Sequence, residues 1–423
     1  MSAPSLAASL AIKSLGNRRG TALLTLLSIT ISVALLIGVN QVRQEARSSF
    51  TNTLSGADLI VGARSGSINL LLYSIFRIGN PTGAVSWDSY QKISSRSDVA
   101  WTFPISLGDS HRGYRVMGTD ENYFAFYRYG GGRGLELADG ELFADHGDAV
   151  IGAEVAAKLG YEVGTPIVVS HGIGAGSFAE HDDNPFRVAG ILARTGTPVD
   201  QTVHVTLEGI EIMHGAEVAD GDHEHDDEAE DGHPAPAIEP EIITAFVVGM
   251  KSRAALFGLQ RIINDYRREP LSAIIPGVAL TELWGLVSTA ETALLVVSGF
   301  VVVAGLLGLL TTLLTSMNER RREMAVLRSV GAGPGMIFSL LICEAAILAF
   351  LAALAGVAIV HLGLLLSRDL VLEAFGIALT PGLPGMFDLL VVGAVTLAAM
   401  LIALVPAWRG YRNSLADGLT VRI

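Results

Sequence analysis

Histidine and carboxylate crowd into one stretch, EVADGDHEHDDEAEDGHPAPA at residues 217–237, and that mixture of side chains can hold a divalent metal. In an extended chain His223 and His225 project to the same side, so both imidazoles reach one cation, with Asp222, Asp226 or His233 completing the shell. Neutral imidazole with carboxylate suits zinc, and the lack of a thiolate argues against copper(I). The competing reading is a solvated acidic insertion, too polar to bury a core, whose histidines are incidental. His171, His181, His204 and His214 are scattered and read as surface or turn residues.

Other chemistry is missing from the sequence. No G-x-x-x-x-G-K-[ST] loop occurs, nor any Gly-Lys pair, so the backbone cradle and lysine that hold nucleotide phosphates are lacking and any ATPase must be another chain. There is no G-x-S-x-G elbow and no H-E-x-x-H zinc helix; His223 and His225 are not spaced to share a helical face. Catalysis by this chain alone is not indicated. The one cysteine, Cys343, lies within an apolar span, which excludes an intrachain disulfide and a cysteine metal cluster. The formal charge of -13 comes from acidic residues concentrated at 208–241, and it gives no footing for nucleic acid.

The elements that must position these residues are mostly apolar. Half the chain is hydrophobic, and apolar runs centre on residues 21–39, 294–314, 337–366 and 389–405. About 20 apolar residues cross a hydrocarbon core of about 30 Å, so these are four membrane spans. Lys13, Arg18 and Arg19 precede the first, Arg320, Arg321, Arg322 and Arg328 follow the second, and Arg409, Arg412 and Arg422 follow the fourth. Basic flanks mark the cytoplasmic side, which puts both termini and the loop after the second span inside and the region between the first two spans outside. Residues 3–16 read as an interfacial helix leading into an uncleaved anchor. His361, near the outer end of the third span, reads as a packing or interfacial residue ahead of a proton relay.

The outer region should be a folded domain. Residues 57–63 read as a strand, 148–164 as strand, helix and turn, 165–170 and 186–192 as strands, 242–249 as a further strand and 252–266 as a helix. The division expected is 1–43 for the interfacial helix and first span, 44–283 for the outer domain with its His-rich loop, and 284–423 for the remaining spans. After the second span, Met317, Met324, Leu327 and Val330 recur at helical spacing among Glu319, Arg320, Glu323 and Arg328, which predicts a short amphipathic helix at 318–333. Gly331, Gly333, Pro334 and Gly335 then supply a turn back into the bilayer.

With those residues as they stand, the loop resembles that of the FtsX/MacB-like ABC transporter permeases, whose pattern of ER, then RE, then LRxxGA is met by Glu319 and Arg320, Arg322 and Glu323, Leu327 and Arg328, and Gly331 and Ala332. Glu344 matches the acidic residue that opens the next span in that family. DAVIGAEVAAKLGYEVGTPIVVS and FRVAGILARTGTPVDQTVHV resemble its extracytoplasmic core, and PAWRGYRNSLADGLTVRI resembles its closing phrase, with Leu415 where a proline is usual. The resemblance implies an α+β membrane protein with four transmembrane helices and a large α/β extracytoplasmic domain between the first and second. It implies a bacterial inner-membrane location and a partner ABC ATPase that binds ATP and docks on a coupling helix through Glu319, Arg320, Glu323, Arg328 and Gly331. A homodimer in membrane lipid, with an extracytoplasmic partner protein, is the expected assembly.

Read as residues alone, the arginines do no more than set topology. That rule requires neither the glutamates nor the glycine turn. Two functions therefore stand: an ABC permease subunit, with zinc transport or homeostasis as one of several tasks, and a membrane-anchored metal-binding or sensor protein without transport activity.

Overall fold

The computed structural model describes residues 19–171, 185–214, 239–319, 329, 333–375 and 382–412. The expected interfacial helix at 3–16 lies outside them. So do residues 172–184 and 215–238, the latter holding all of the His-rich stretch, and most of the loop after the second span.

Among the described residues, four helices are long and apolar enough to cross a membrane. They are α1 (Arg19–Thr53), α2 (Pro276–Glu319), α3 (Pro334–Phe375) and α4 (Met386–Arg412). Each contains one of the apolar runs seen in the sequence. The polar residues after the first run continue the same helix to Thr53, because nothing between Gly38 and Thr53 breaks it. The chain divides into two units. The first comprises Met1–Ala46, Ser288–Arg368 and Thr380–Ile423, and the second Arg47–Val287 with Asp369–Leu379.

In the helical unit, Ile29, Val33 and Ile37 of α1 are buried with Leu306, Leu309 and Leu313 of α2, alanines 345, 349, 352 and 353 of α3, and Val392, Val395 and Ala399 of α4. The row of alanines in α3 has a packing reason. Without a hydrophobic force between helices in lipid, small residues let backbones approach closely enough for dispersion to hold them.

The second unit is a mixed α/β domain. Its main sheet follows the order β9, β1, β8, β2, β3, β7, β5, β6, β4. Those strands are β1 (Leu59–Ala63), β2 (Val99–His111), β3 (Tyr114–Thr119), β4 (Leu137–Gly140), β5 (Asp148–Ile151), β6 (Phe186–Leu192), β7 (Thr202–Thr206), β8 (Ala245–Met250) and β9 (Leu271–Ile274). The β3–β7 and β5–β6 pairs are parallel and the remaining neighbours antiparallel.

Both sheet faces are covered, which follows from alternation. Ile60, Met117, Val150 and Val247 point to one continuous core with Tyr73, Phe103 and Tyr123. Their neighbours Leu59, Val61, Phe246 and Val248 point to a second cluster, and Val116, Ala149, Ile151, Val203 and Val205 to a third.

Several local expectations need correction. The strand expected at 165–170 is only Pro166–Ile167 and Ser170–His171, two-residue pieces at the sheet edge. The strand expected at 242–249 is interrupted at Thr244, whose hydroxyl accepts from the Leu107 amide at 2.8 Å and reaches the Leu107 carbonyl at 3.2 Å. Ile242–Ile243 instead pairs with Val85–Ser86. The helix expected at 252–266 starts as a 3-10 turn capped by Ser252 and becomes α-helical only over Leu256–Asn264.

Candidate functional site

Of the expected coupling residues, Glu319 closes α2, whereas Arg320, Glu323, Arg328 and Gly331 lie outside the described residues. The same holds for Asp222, His223, His225, Asp226 and His233. Among the described residues, no group of three or more His, Cys, Asp or Glu side chains is arranged to hold a metal. The described structure therefore supplies the helix ends on either side of the segment 320–333. Met317, two residues before Glu319, is buried with Leu341 of α3 and Ala407 of α4, with Phe338 and Ile342 packed around them. Three membrane helices thus meet at the base of that segment. Glu344 is buried one turn further into α3.

Above that base, α1 is bonded to its neighbours by hydroxyl groups. The Thr25 and Thr312 hydroxyls lie 3.1 Å apart, joining α1 to α2. Thr30 donates to the Ala352 carbonyl at 3.1 Å, joining α1 to α3, and Ser32 donates to the Val301 carbonyl at 3.2 Å. Glycines let the helices come this close: a Cβ on Gly356 would stand 2.9 Å from Val33 Cγ1 and 3.1 Å from the Thr30 carbonyl oxygen. Each such interhelical hydrogen bond contributes roughly 0.6 kcal/mol on average. Their value is registry, since a small slide of α1 breaks all of them together. At the far end of α3, His361 pairs with Asp388 in the first turn of α4. The sequence reading singled out His361 but missed Asp388, which stands just ahead of the apolar run.

The α/β unit holds a buried polar cluster that the sequence reading also missed. His204 was read as a surface or turn residue; it is fully buried in β7. Val203 and Val205 face one core, so alternation turns His204 to the other, against Tyr123 at 5.1 Å between ring centres. Nδ1 lies 3.0 Å from the Val150 carbonyl, which can only accept, so Nδ1 carries the proton and Nε2 presents a lone pair. Burial pushes its pKa down to about 3, and the nearby Arg77 charge adds to this.

Arg77 has a positive φ of 59° and directs its guanidinium against Met117. Its Nε and Nη1 are shielded from solvent and make no hydrogen bond among the described residues. Burial works against its charge, while the Tyr123 and Tyr127 phenols favour it. The Tyr123 hydroxyl nevertheless makes no hydrogen bond of good geometry among the described residues. A third feature is Asp200, which accepts from the Thr195 and Gly196 amides at 2.8 Å and fixes the turn entering β7.

These polar groups tie helices to one another or brace the sheet from within.

Residues 22–229 match the family model of the MacB-like periplasmic core domain, and residues 295–415 that of the FtsX-like permease C-terminal region. The chain is 23% identical over 410 residues to the pyoverdine export ATP-binding/permease protein PvdT of Pseudomonas savastanoi pv. phaseolicola, a match covering 91% of this chain and 55% of that protein. The chain thus spans about half the length of this curated relative. Among solved structures, the periplasmic region of MacB from Actinobacillus actinomycetemcomitans aligns at 13% identity and TM-score 0.34, covering 55% of this chain and 94% of that one. The extracellular domain of the noncanonic ABC-type transporter YknZ from Gram-positive bacteria aligns at 12% identity and TM-score 0.31, covering 51% and 98%.

Proposed function

Because the chain belongs to the FtsX/MacB-like family of ABC transporter permeases, whose members work with an ABC ATPase, we propose that it is a membrane subunit moved by an ATPase on a separate chain. The observation that carries this reading is the length of two helices. The 35 residues of α1 extend about 52 Å and the 44 of α2 about 66 Å, against a hydrocarbon core of about 30 Å. Each is one continuous helix, Arg19–Thr53 and Pro276–Glu319. An unbroken helix passes displacement along its axis instead of absorbing it in a loop.

In this reading the segment 318–333 is the coupling helix, with Glu319, Arg320, Glu323, Arg328 and Gly331 presented to the ATPase. Hydrolysis in that partner draws on the shared base at Met317, Leu341 and Ala407, and α1 and α2 carry the motion to an extracytoplasmic domain. The assembly contains two copies of this chain in a bacterial inner membrane, with both termini and the coupling helix cytoplasmic and a further protein engaging the outer domain. The relative named for pyoverdine export suggests export as the direction of transport. A zinc-linked task rests on the spacing of His223 and His225.

Charge reversal is the test: Glu319→Lys together with Arg328→Glu. Exposed substitutions cost within about 0.5 kcal/mol of stability, whereas breaking a charge contact buried at an interface costs about 2–5 kcal/mol of binding. The double variant should therefore insert and fold normally but fail to co-purify with the ATPase or to stimulate its hydrolysis in nanodiscs. Normal binding and stimulation would reduce this segment to a topology signal.

A further inference from the structure

A groove of about 440 Å³ opens between the first turns of α3 and the end of α4, lined by Phe338, Leu404, Val405, Trp408 and Arg409. We propose that it is a binding site for an anionic phospholipid, with an acyl chain along the apolar wall and the phosphodiester on Arg409.

The wall is ordered along α4 as a membrane interface is ordered. Leu404 and Val405 come first, Trp408 follows one turn on, and Arg409 stands at the end. Leu404, Val405 and Trp408 are all well exposed, at 40%, 49% and 58%, while Phe338 backs the groove by packing on Met317, Leu341 and Ala407. Pro406 lies within this stretch of helix and has no N–H to offer the Ile402 carbonyl. The volume falls in the range of about 300–1,000 Å³ typical of small-ligand sites.

Chemistry selects the occupant. The apolar wall belongs to a membrane-crossing helix, where the surrounding medium is acyl chain. Tryptophan settles at headgroup depth because its ring is apolar and its N–H polar. Arginine presents a planar fork that matches two phosphate oxygens at once. It is the one charged residue among those lining the groove, so net complementarity is to an anion. A zwitterionic lipid carries its own cation beside the phosphate and gains less. Basic pockets between membrane helices are a recurrent seat for anionic headgroups.

The test uses the full chain in nanodiscs and Trp408 as the reporter. The Trp408 signal is the difference between wild type and Trp408→Phe, which removes the contribution of the other tryptophans. Brominated phosphatidylglycerol and brominated phosphatidylcholine are titrated separately as quenchers. Half-quenching should need about fivefold less phosphatidylglycerol, the factor that one basic residue supplies at an anionic surface. Arg409→Gln should abolish that preference while leaving quenching by phosphatidylcholine unchanged. Native mass spectrometry of the wild-type protein, which needs no variant, should retain phosphatidylglycerol over phosphatidylcholine. Equal quenching by the two lipids would overturn the site and leave only ordinary boundary lipid. Absence of preference combined with a disulfide between two copies of Trp408→Cys, made in a Cys343→Ala background, would assign the groove to a second copy of the chain instead.

Discussion

Nε2 of His361 lies 3.2 Å from Oδ2 of Asp388, which ties the third membrane helix to the first turn of the fourth. Both side chains are shielded, at 12% and 5% exposure. Asp388 also accepts from the Gly385 amide at 2.9 Å, so its carboxylate serves the N-terminus of α4 as well as the imidazole. A carboxylate in a first helical turn is favoured by the helix dipole, and the histidine compensates what burial in the bilayer costs.

The pair should behave as a unit. Asp388→Asn and His361→Leu are each expected to destabilise the protein, and the double variant should cost less than the sum by about 1 kcal/mol, as for residues in direct contact. SDS-induced unfolding of the four proteins gives the cycle. Strict additivity would show that the two groups do not interact in lipid.

Close approach of α1 and α3 makes Gly356 intolerant of bulk. Gly356→Val places a side chain against Val33 and the Thr30 carbonyl, and overpacking of this kind costs about 1–3 kcal/mol. Gly363, two turns further along the same helix, has open space where its Cβ would be. Gly363→Val should therefore stay near wild type. Thermal unfolding in detergent separates the two, and a similar loss for both would mean that helix propensity, not the α1–α3 contact, sets the cost.

How much of this was legible depended on range. The four spans follow from composition, and Leu59–Ala63 and Phe186–Leu192 follow from compact apolar runs, because both signals are local. The break at Thr244 was not legible, since it depends on a hydroxyl reaching Leu107 from 137 residues away. His204 failed for a related reason. The pattern TVHVT shows an alternating strand, but a histidine at an inward position looks solvent-facing unless both sheet faces are known to be covered. Asp388 looked like a flank of an apolar run, and only the fold brings it to His361. The metal residues and every coupling residue but Glu319 fall outside the described residues, so their standing rests on sequence spacing and family membership.

Zinc binding through the His-rich stretch is checked by calorimetry on the full chain and on a deletion of residues 217–233. The intact protein should bind zinc through the imidazoles of His223 and His225 with nearby carboxylates. The deletion should lose that binding, and so should His223→Ala with His225→Ala. Equal affinity in intact and deleted proteins would place any zinc site elsewhere.

His204 gives the α/β unit a predictable acid sensitivity. Its pKa is about 3 in the folded protein against 6.5 in the unfolded chain. At pH 7 the imidazole is neutral in both states and costs nothing. As pH falls below 6.5 the unfolded chain takes up a proton that the folded one refuses, so stability is lost progressively down toward pH 3. At 1.36 kcal/mol per unit, the loss between pH 6.5 and 5 approaches about 2 kcal/mol. Asp120 runs the other way. Burial raises its carboxyl to about 6, so the folded state holds a proton there that the unfolded state releases, and that contribution is lost as pH rises through 6. Asp200 shares this direction, and so does His214, raised by its contact with Asp109. The comparison that isolates His204 is therefore wild type against His204→Gln, which keeps a donor for the Val150 carbonyl and cannot titrate. Urea unfolding followed by fluorescence of Trp101, stacked between Phe103 and Phe126, should show the wild type losing stability relative to the variant as pH drops from 6.5 to 5. Parallel pH profiles would mean that His204 is protonated in the folded domain and that its pocket is wetter than its burial indicates.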